Sequence, residues 1–294
     1  MQGTLTEFKM AVDKVDLLSL ALLVSQMDLN IAYAELNGKT PLLYVTQDTT
    51  MDCIGVLIAA GADVSLPGWR GHSPLYHAVS NMEKKCIKMF MDYGADATHC
   101  VAKRYIPLHR AALLNDCDSI LLFIGAGAHV DGKCRDNHTA LHHALKAGNE
   151  EATNVLIQAG ANIHNINRYT PLEMALSWKS WKCAKLLIEA GVDPSINSAL
   201  FHPPLHIICE HGDLDLLKAI LDVGVDVNIQ HPHTYDTALH IAARHARLEA
   251  IQLLLSYGAD VRLVDKYGDS ARRIIQENKR LNKHLRDLYP HIFT

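Results

Sequence analysis

Residues 135–149 read RDNHTALHHALKAGN. His138 and His142 stand four apart, the spacing at which one helix presents two imidazoles to a metal. Thr139, however, is a good helix N-cap. If the helix starts there, His138 precedes it, His142 is its third residue, and the two rings do not share a helical face. Whether the stretch recurs along the chain separates the two readings.

It does recur. GAD-like turns begin at Gly61, Gly94, Gly127, Gly160, Gly191, Gly224 and Gly258, spaced 33, 33, 33, 31, 33 and 34 residues apart. A second marker keeps the same beat: TPLLYV from Thr40, SPLYHA from Ser73, IPLHRA from Ile106, TALHHA from Thr139, TPLEMA from Thr170, PPLHII from Pro203 and TALHIA from Thr237. Its leucines are Leu42, Leu75, Leu108, Leu141, Leu172, Leu205 and Leu239. Self-similarity at one fixed period is the signature of a repeat architecture.

Local signals within each copy agree. Thr or Ser caps a helix and the following Pro sits at its first position, where a missing N–H costs nothing. Leu and Ala then face inward. A second helix follows, with runs such as Cys183-Ala-Lys-Leu-Leu-Ile, and Gly-Ala ends it as a left-handed C-cap. No copy buries its apolar faces alone; stacked copies bury a continuous core.

The period and the T-P-L-H-x-A marker closely resemble the ankyrin repeat. The resemblance implies an all-α solenoid with short β-hairpin fingers, of about nine repeats including two degenerate caps. One domain, 1–294, is expected: an N-terminal cap at 1–34; repeats at 35–67, 68–100, 101–133, 134–164, 165–197, 198–231 and 232–264; and a C-terminal cap at 265–294. The pattern also has gaps. The 31-residue interval loses two residues near Asn165–Tyr169 and the arm at His231–Tyr235 gains one. The glycine before the cap is Gly38 and Gly71 early on, but Arg104, Asn137, Arg168, Phe201 and Tyr235 later, so altered hairpin geometry is expected there.

Bulk properties narrow the function. Hydrophobic residues make up 49% and charged residues 20%, which suits a water-soluble core-forming chain. A net charge of −4 argues against nucleic acid, which needs a basic face. Residues 262–294 carry eight Lys/Arg against four Asp/Glu, net +4, which contact with an acidic partner or nucleic acid and a solvated capping helix explain equally well. The longest nearly apolar run, Leu17–Val24, falls far short of the roughly twenty residues a membrane helix needs, and the N-terminus has no signal-peptide pattern. Seven cysteines without a CxxC pair read as reduced thiols, placing the protein in cytoplasm or nucleus.

Motifs for chemistry fail in context. Asn37-Gly-Lys-Thr40 lacks the earlier glycine of a phosphate loop, since position 33 is Tyr33. GAGAHV at 125–130 follows a helix, not a strand. His142 recurs as His109, His206 and His240, and the resemblance implies a structural hydrogen-bonding role for that position. No metal, no cofactor and no catalytic set is expected, so the chain reads as a non-enzyme. A metal- or thiol-dependent enzyme drawing on the His and Cys content is the rival from another class.

The resemblance implies protein binding through a concave groove of finger tips and first-helix ends. The side chains placed there are Trp69, Arg70, His72, Tyr105, Leu113, Leu114, Arg135, His138, Tyr169, Trp178, His202, His211, Arg244 and His245. Trp, Tyr and Arg dominate measured interface energies. The reading is an adaptor or scaffold with one or more protein partners, monomeric on its own and away from the membrane. Second helices that open D-C-I, K-C-I and K-C-A also resemble the ankyrin-repeat/SOCS-box family, implying a substrate-recognition subunit of a ubiquitin-ligase assembly. Such a box would follow the last repeat, and after Leu288 only YPHIFT remains. Asn228, in LDVGVDVN, stands where the resemblance implies hydroxylation by an oxygenase.

Overall fold

The computed structural model describes residues 2–48, 51–68, 71–98, 106–134, 136–164, 169–195, 203–211 and 213–290, without the side chains of residues 2, 47 and 48. Among them the chain is helical throughout. In order, the helices are α1 (Gln2–Asp13), α2 (Leu17–Val24), α3 (Pro41–Asp48), α4 (Met51–Ala59), α5 (Pro74–Ser80), α6 (Lys84–Asp92), α7 (Pro107–Leu113), α8 (Cys117–Gly125) and α9 (Ala140–Ala147). They continue as α10 (Glu150–Gln158), α11 (Pro171–Ser177), α12 (Trp181–Glu189), α13 (Pro204–His211), α14 (Leu214–Asp222), α15 (Ala238–Arg244), α16 (Leu248–Ser256), α17 (Ala271–Glu277) and α18 (Lys279–Leu288). Contacts divide the chain into two compact units, Met1–Ala144 with Glu151–Ala161, and Leu145–Glu150 with Asn162–Thr294.

Each unit is built from helix pairs in two rows. In the first, α3 packs on α4 and α5, and α5 on α6 and α7. In the second, α11 packs on α12 and α13, α13 on α14 and α15, and α15 on α16 and α17. First helices therefore stack on first helices, each backed by its own second helix. The marker leucines lie at the centre of this packing: Leu42, Leu75, Leu108, Leu141, Leu172, Leu205 and Leu239 are all buried. Burying such a side chain stabilises by roughly 1.5–3 kcal/mol. Cys53, Cys86 and Cys183, at one register of the second helices, are buried small core residues.

The ends of the helices follow the sequence closely. The Ser73 Oγ accepts the Tyr76 N–H, and Thr170 and Glu173 form a reciprocal capping box. At α12, the Gly191 N–H reaches the Ile188 carbonyl and the Val192 N–H the Leu187 carbonyl, a Schellman closure. Gly191 adopts φ 92°, a conformation in which a Cβ would be strained. Between first and second helices the chain reverses through one left-handed residue: Val15, Met82, Asn115, Gly148, Lys179 and Ala246.

The fingers are short. Described residues show two isolated antiparallel bridges, Tyr33–Lys39 and Val264–Ser270. The altered geometry expected where glycine is missing does not develop at Asn137. It takes φ 64°, close to the 79° of Gly71, and the Cys134 N–H still reaches the His138 carbonyl. Asparagine tolerates the left-handed region better than most residues. Tyr235, two before its cap, keeps the same left-handed turn at φ 56°, and the extra residue lies before it, where the Tyr235 N–H reaches back to the His231 carbonyl and the His231 Nδ1 accepts the N–H groups of His233 and Thr234. Arg104, Arg168 and Phe201 lie outside the described residues.

Candidate functional site

The recurring histidines are scaffold. In His142 and His240 the Nδ1 accepts the hydroxyl of the capping Thr139 and Thr237, each at 2.8 Å. The Nε2–H of His109, His206 and His240 donates to a carbonyl of the next finger, those of His138, Asp236 and Asp269. Burial lowers the pKa of His142 to about 4, with His138, Lys133 and His109 adding to the shift, so it is neutral at physiological pH. His138 and His142 stack face to face, centroids 5.4 Å apart and 9° between planes, and do not converge on a common point.

The groove residues expected from sequence fare unequally. Trp69, Arg70, Tyr105, Arg135 and His202 lie outside the described residues. In the first unit, His72 stacks on Tyr76 at 4.3 Å. Leu113, the last residue of α7, and Leu114, its C-cap, are half-buried rather than forming an open apolar pair. His138 is half-buried, with its carbonyl engaged by His109.

In the second unit, Tyr169 is half-buried and His245 is exposed at the C-cap of α15. Arg244 is committed internally, paired with Asp236 at 2.7 Å and with Asp265. Asn228 is also engaged: its Oδ1 accepts the Asp260 N–H at 2.7 Å and its Nδ2–H donates to the Gly258 carbonyl at 3.4 Å. Asn30 makes the same pair of bonds to Asp63 and Gly61, so this asparagine position couples successive turns.

The most exposed tryptophan among the described residues is Trp178. The capping box and Pro171 set the start of α11, which ends with Trp178 as C-cap. Lys179 then turns the chain at φ 59°, and Trp181 opens α12. The Ser180 hydroxyl donates to the Leu145 carbonyl at 2.7 Å, pinning this reversal to the preceding copy. Trp178 is left 54% exposed, with the Lys146 ammonium 4.8 Å from its ring centroid.

A cleft of about 440 Å³ opens between Lys146, Gly148, Trp178, Lys179, Trp181 and Lys182. Trp181 leans on His211, centroids 5.3 Å apart, and the His211 Nδ1–H donates to the Ile207 carbonyl. Lys182 pairs with Glu150 at 3.2 Å. Two indoles beside three ammonium groups form a surface able to hold an apolar anchor next to negative charge. Of these residues the sequence had singled out Trp178 and His211. Trp181 was missed, although the run Trp178-Lys-Ser-Trp181 carries two rare aromatics across one helix junction.

No helix among the described residues is long and apolar enough to cross a membrane. A family model described as ankyrin repeats (three copies) matches residues 9–99, 108–198 and 202–274. No curated protein matches the sequence. Among solved structures, the chain is similar to the human ASB11 ankyrin repeat domain, with 26% identity, TM-score 0.62, and coverage of 73% of this chain and 96% of that one. It shares its fold with the ankyrin repeat domain of Bcl-3, described as a unique member of the IkappaB protein family; there the identity is 24%, the TM-score 0.62 and the coverage 74% and 99%. With its paired helices, buried marker leucines and capped turns matched by that family model over most of its length, this chain belongs to the ankyrin-repeat family.

Proposed function

We propose that this ankyrin-repeat chain, whose fold is in general a protein-interaction module, works as a non-enzymatic adaptor in cytoplasm or nucleus. Its partner is a protein with an acidic segment carrying a hydrophobic side chain. The observation that supports this most is the open Trp178 ring beside Lys146, at the mouth of a cleft that Lys179, Trp181 and Lys182 complete. An exposed tryptophan is costly on a surface that meets only water, and tryptophan is a leading hot-spot residue when covered. His211 and His245 stand on the same unit, while His72 and His138 offer a separate finger surface on the first. Affinity capture from a cell extract with wild type and Trp178→Ala, followed by mass spectrometry, tests the reading. A partner set retained in full by Trp178→Ala would remove the cleft from it.

A second reading makes the chain the substrate-recognition subunit of a ubiquitin-ligase assembly. It is favoured by the cysteine-led second helices at Cys53, Cys86 and Cys183, the feature shared with the SOCS-box group. Co-purification with a cullin–elongin assembly tests it. Hydroxylation at Asn228 belongs with either reading, but it requires release of both bonds that hold the side chain. An intact mass with no added oxygen would count against it.

A further inference from the structure

Three departures from the repeat pattern meet in one place in the first unit. At position 106 isoleucine replaces the capping Thr or Ser, so the Nδ1 of His109 lacks the hydroxyl that Thr139 and Thr237 give to His142 and His240. That atom is buried and has no hydrogen-bond partner among the described residues. At the start of the next finger stands Cys134. The equivalent Asp265 caps its own finger by accepting the Tyr267 and Asp269 N–H groups, a role a thiol does not fill. Two places after the marker leucine comes His143, where the other copies carry Tyr44, His77, Arg110, Met174, Ile207 and Ile241. Each substitution alone is a local irregularity. Together they bring one nitrogen from each of two imidazoles and one sulfur within 4.8 Å of one another.

From this convergence we infer that His109, Cys134 and His143 form a binding site for one zinc ion, joining the repeat of α7 to the repeat of α9. The three residues are 1%, 6% and 8% exposed, so the donors are already gathered and largely dry. The Cys134 Sγ lies 3.7 Å from the His143 Nε2. A tetrahedral zinc with ordinary Zn–S and Zn–N bonds sets that edge at about 3.6 Å. The His109 and His143 rings stand edge to face, centroids 5.3 Å apart and 89° between planes, so they approach one point from different directions. An N₂S donor set suits a borderline-soft divalent ion and not magnesium or calcium, which take oxygen ligands. On binding, the Cys134 thiol releases its proton to solvent and the thiolate bonds the metal. Three protein donors leave the fourth tetrahedral position to water.

The test uses the full chain, reduced, stripped with chelator and titrated first with cobalt(II), then with zinc. One cobalt per chain is expected, with a thiolate-to-metal charge-transfer band and tetrahedral d–d bands that zinc abolishes. Cys134→Ser should lose the charge-transfer band, and His143→Gln should weaken zinc binding on the order of a hundredfold or more. Cys117→Ala, outside the cluster, should retain both. X-ray absorption of the zinc-loaded wild type, which needs no variant, should show one sulfur among otherwise nitrogen or oxygen ligands. Failure of the wild type to take up one equivalent, a charge-transfer band that survives in Cys134→Ser, or a shell without sulfur would each overturn the site.

Discussion

The Lys146 ammonium sits 4.8 Å from the centre of the Trp178 ring, on a tryptophan that is more than half exposed. Little of the fold depends on that ring, so Trp178→Ala is expected to leave the melting temperature within about 1–2 °C. The same change should weaken partner binding by about thirtyfold, the loss of an ordinary hot-spot residue. Lys146→Glu should weaken it further when the partner segment is acidic. Leu114→Arg is a poorer probe: its half-buried side chain means that lost binding would be mixed with lost stability. Calorimetric titration beside thermal unfolding separates the two effects.

Arg244 clamps two carboxylates. Asp265 has a side chain only 1% exposed, and Asp236 is nearly as buried. Burial works against the Asp265 charge, but the Asp269 and Tyr267 N–H groups and the Arg244 guanidinium outweigh it and hold the pKa below the ordinary value. That stabilisation is present above the unfolded carboxylate pKa and lost as pH falls through the lowered folded one. Arg244→Ala should cost about 2 kcal/mol at pH 7, less than a fully buried pair because the guanidinium is partly solvated. Asp265→Asn in the Arg244→Ala background should recover part of the loss in urea unfolding.

Half-buried His77 and buried His142 make a separate acid limb. Burial first, then neighbouring positive charge, lowers His77 and His142 to about 4, against 6.5 for an ordinary imidazole. Between those values the unfolded chain binds more protons than the folded one. Their contribution is complete above pH 6.5 and is lost as pH falls towards 4. The melting temperature should fall by about 5 °C between pH 7 and pH 5. A flat profile over that range would show that burial does not hold these rings neutral.

Val15 turns the chain between α1 and α2 at φ 54°, where a β-branched side chain is strained. It is also largely open to water, so little packing is lost on removing it. Val15→Gly should therefore stabilise by about 1 kcal/mol, read as a higher urea midpoint with an unchanged slope. The same substitution at Gly-free Ala246, φ 53°, should act in the same direction.

The repeat was legible because two markers, the capped Leu and the Gly turn, hold phase through seven copies. Each is a local requirement: a cap needs its hydroxyl, and a left-handed turn needs glycine. Such requirements are written in consecutive residues, and the buried leucines and capped helices follow from them. The HxxxH of residues 138–142 was also settled this way, since Thr139 starts the helix between the two histidines.

The functional surface was legible only in part, because exposure depends on neighbours distant in sequence. Leu113 and Trp178 occupy adjacent helix-end registers, yet one is half-buried and the other open. Arg244 reads as a free recognition residue until Asp236 and Asp265 are found on either side of it. The meeting of His109, Cys134 and His143 has no linear signature, since their separations of 25 and 9 residues fit no metal spacing. Periodicity in the chain determined the stack of helix pairs and its core. Which irregular side chains face one another was decided by the packing of successive repeats, which brings residues about one period apart into contact.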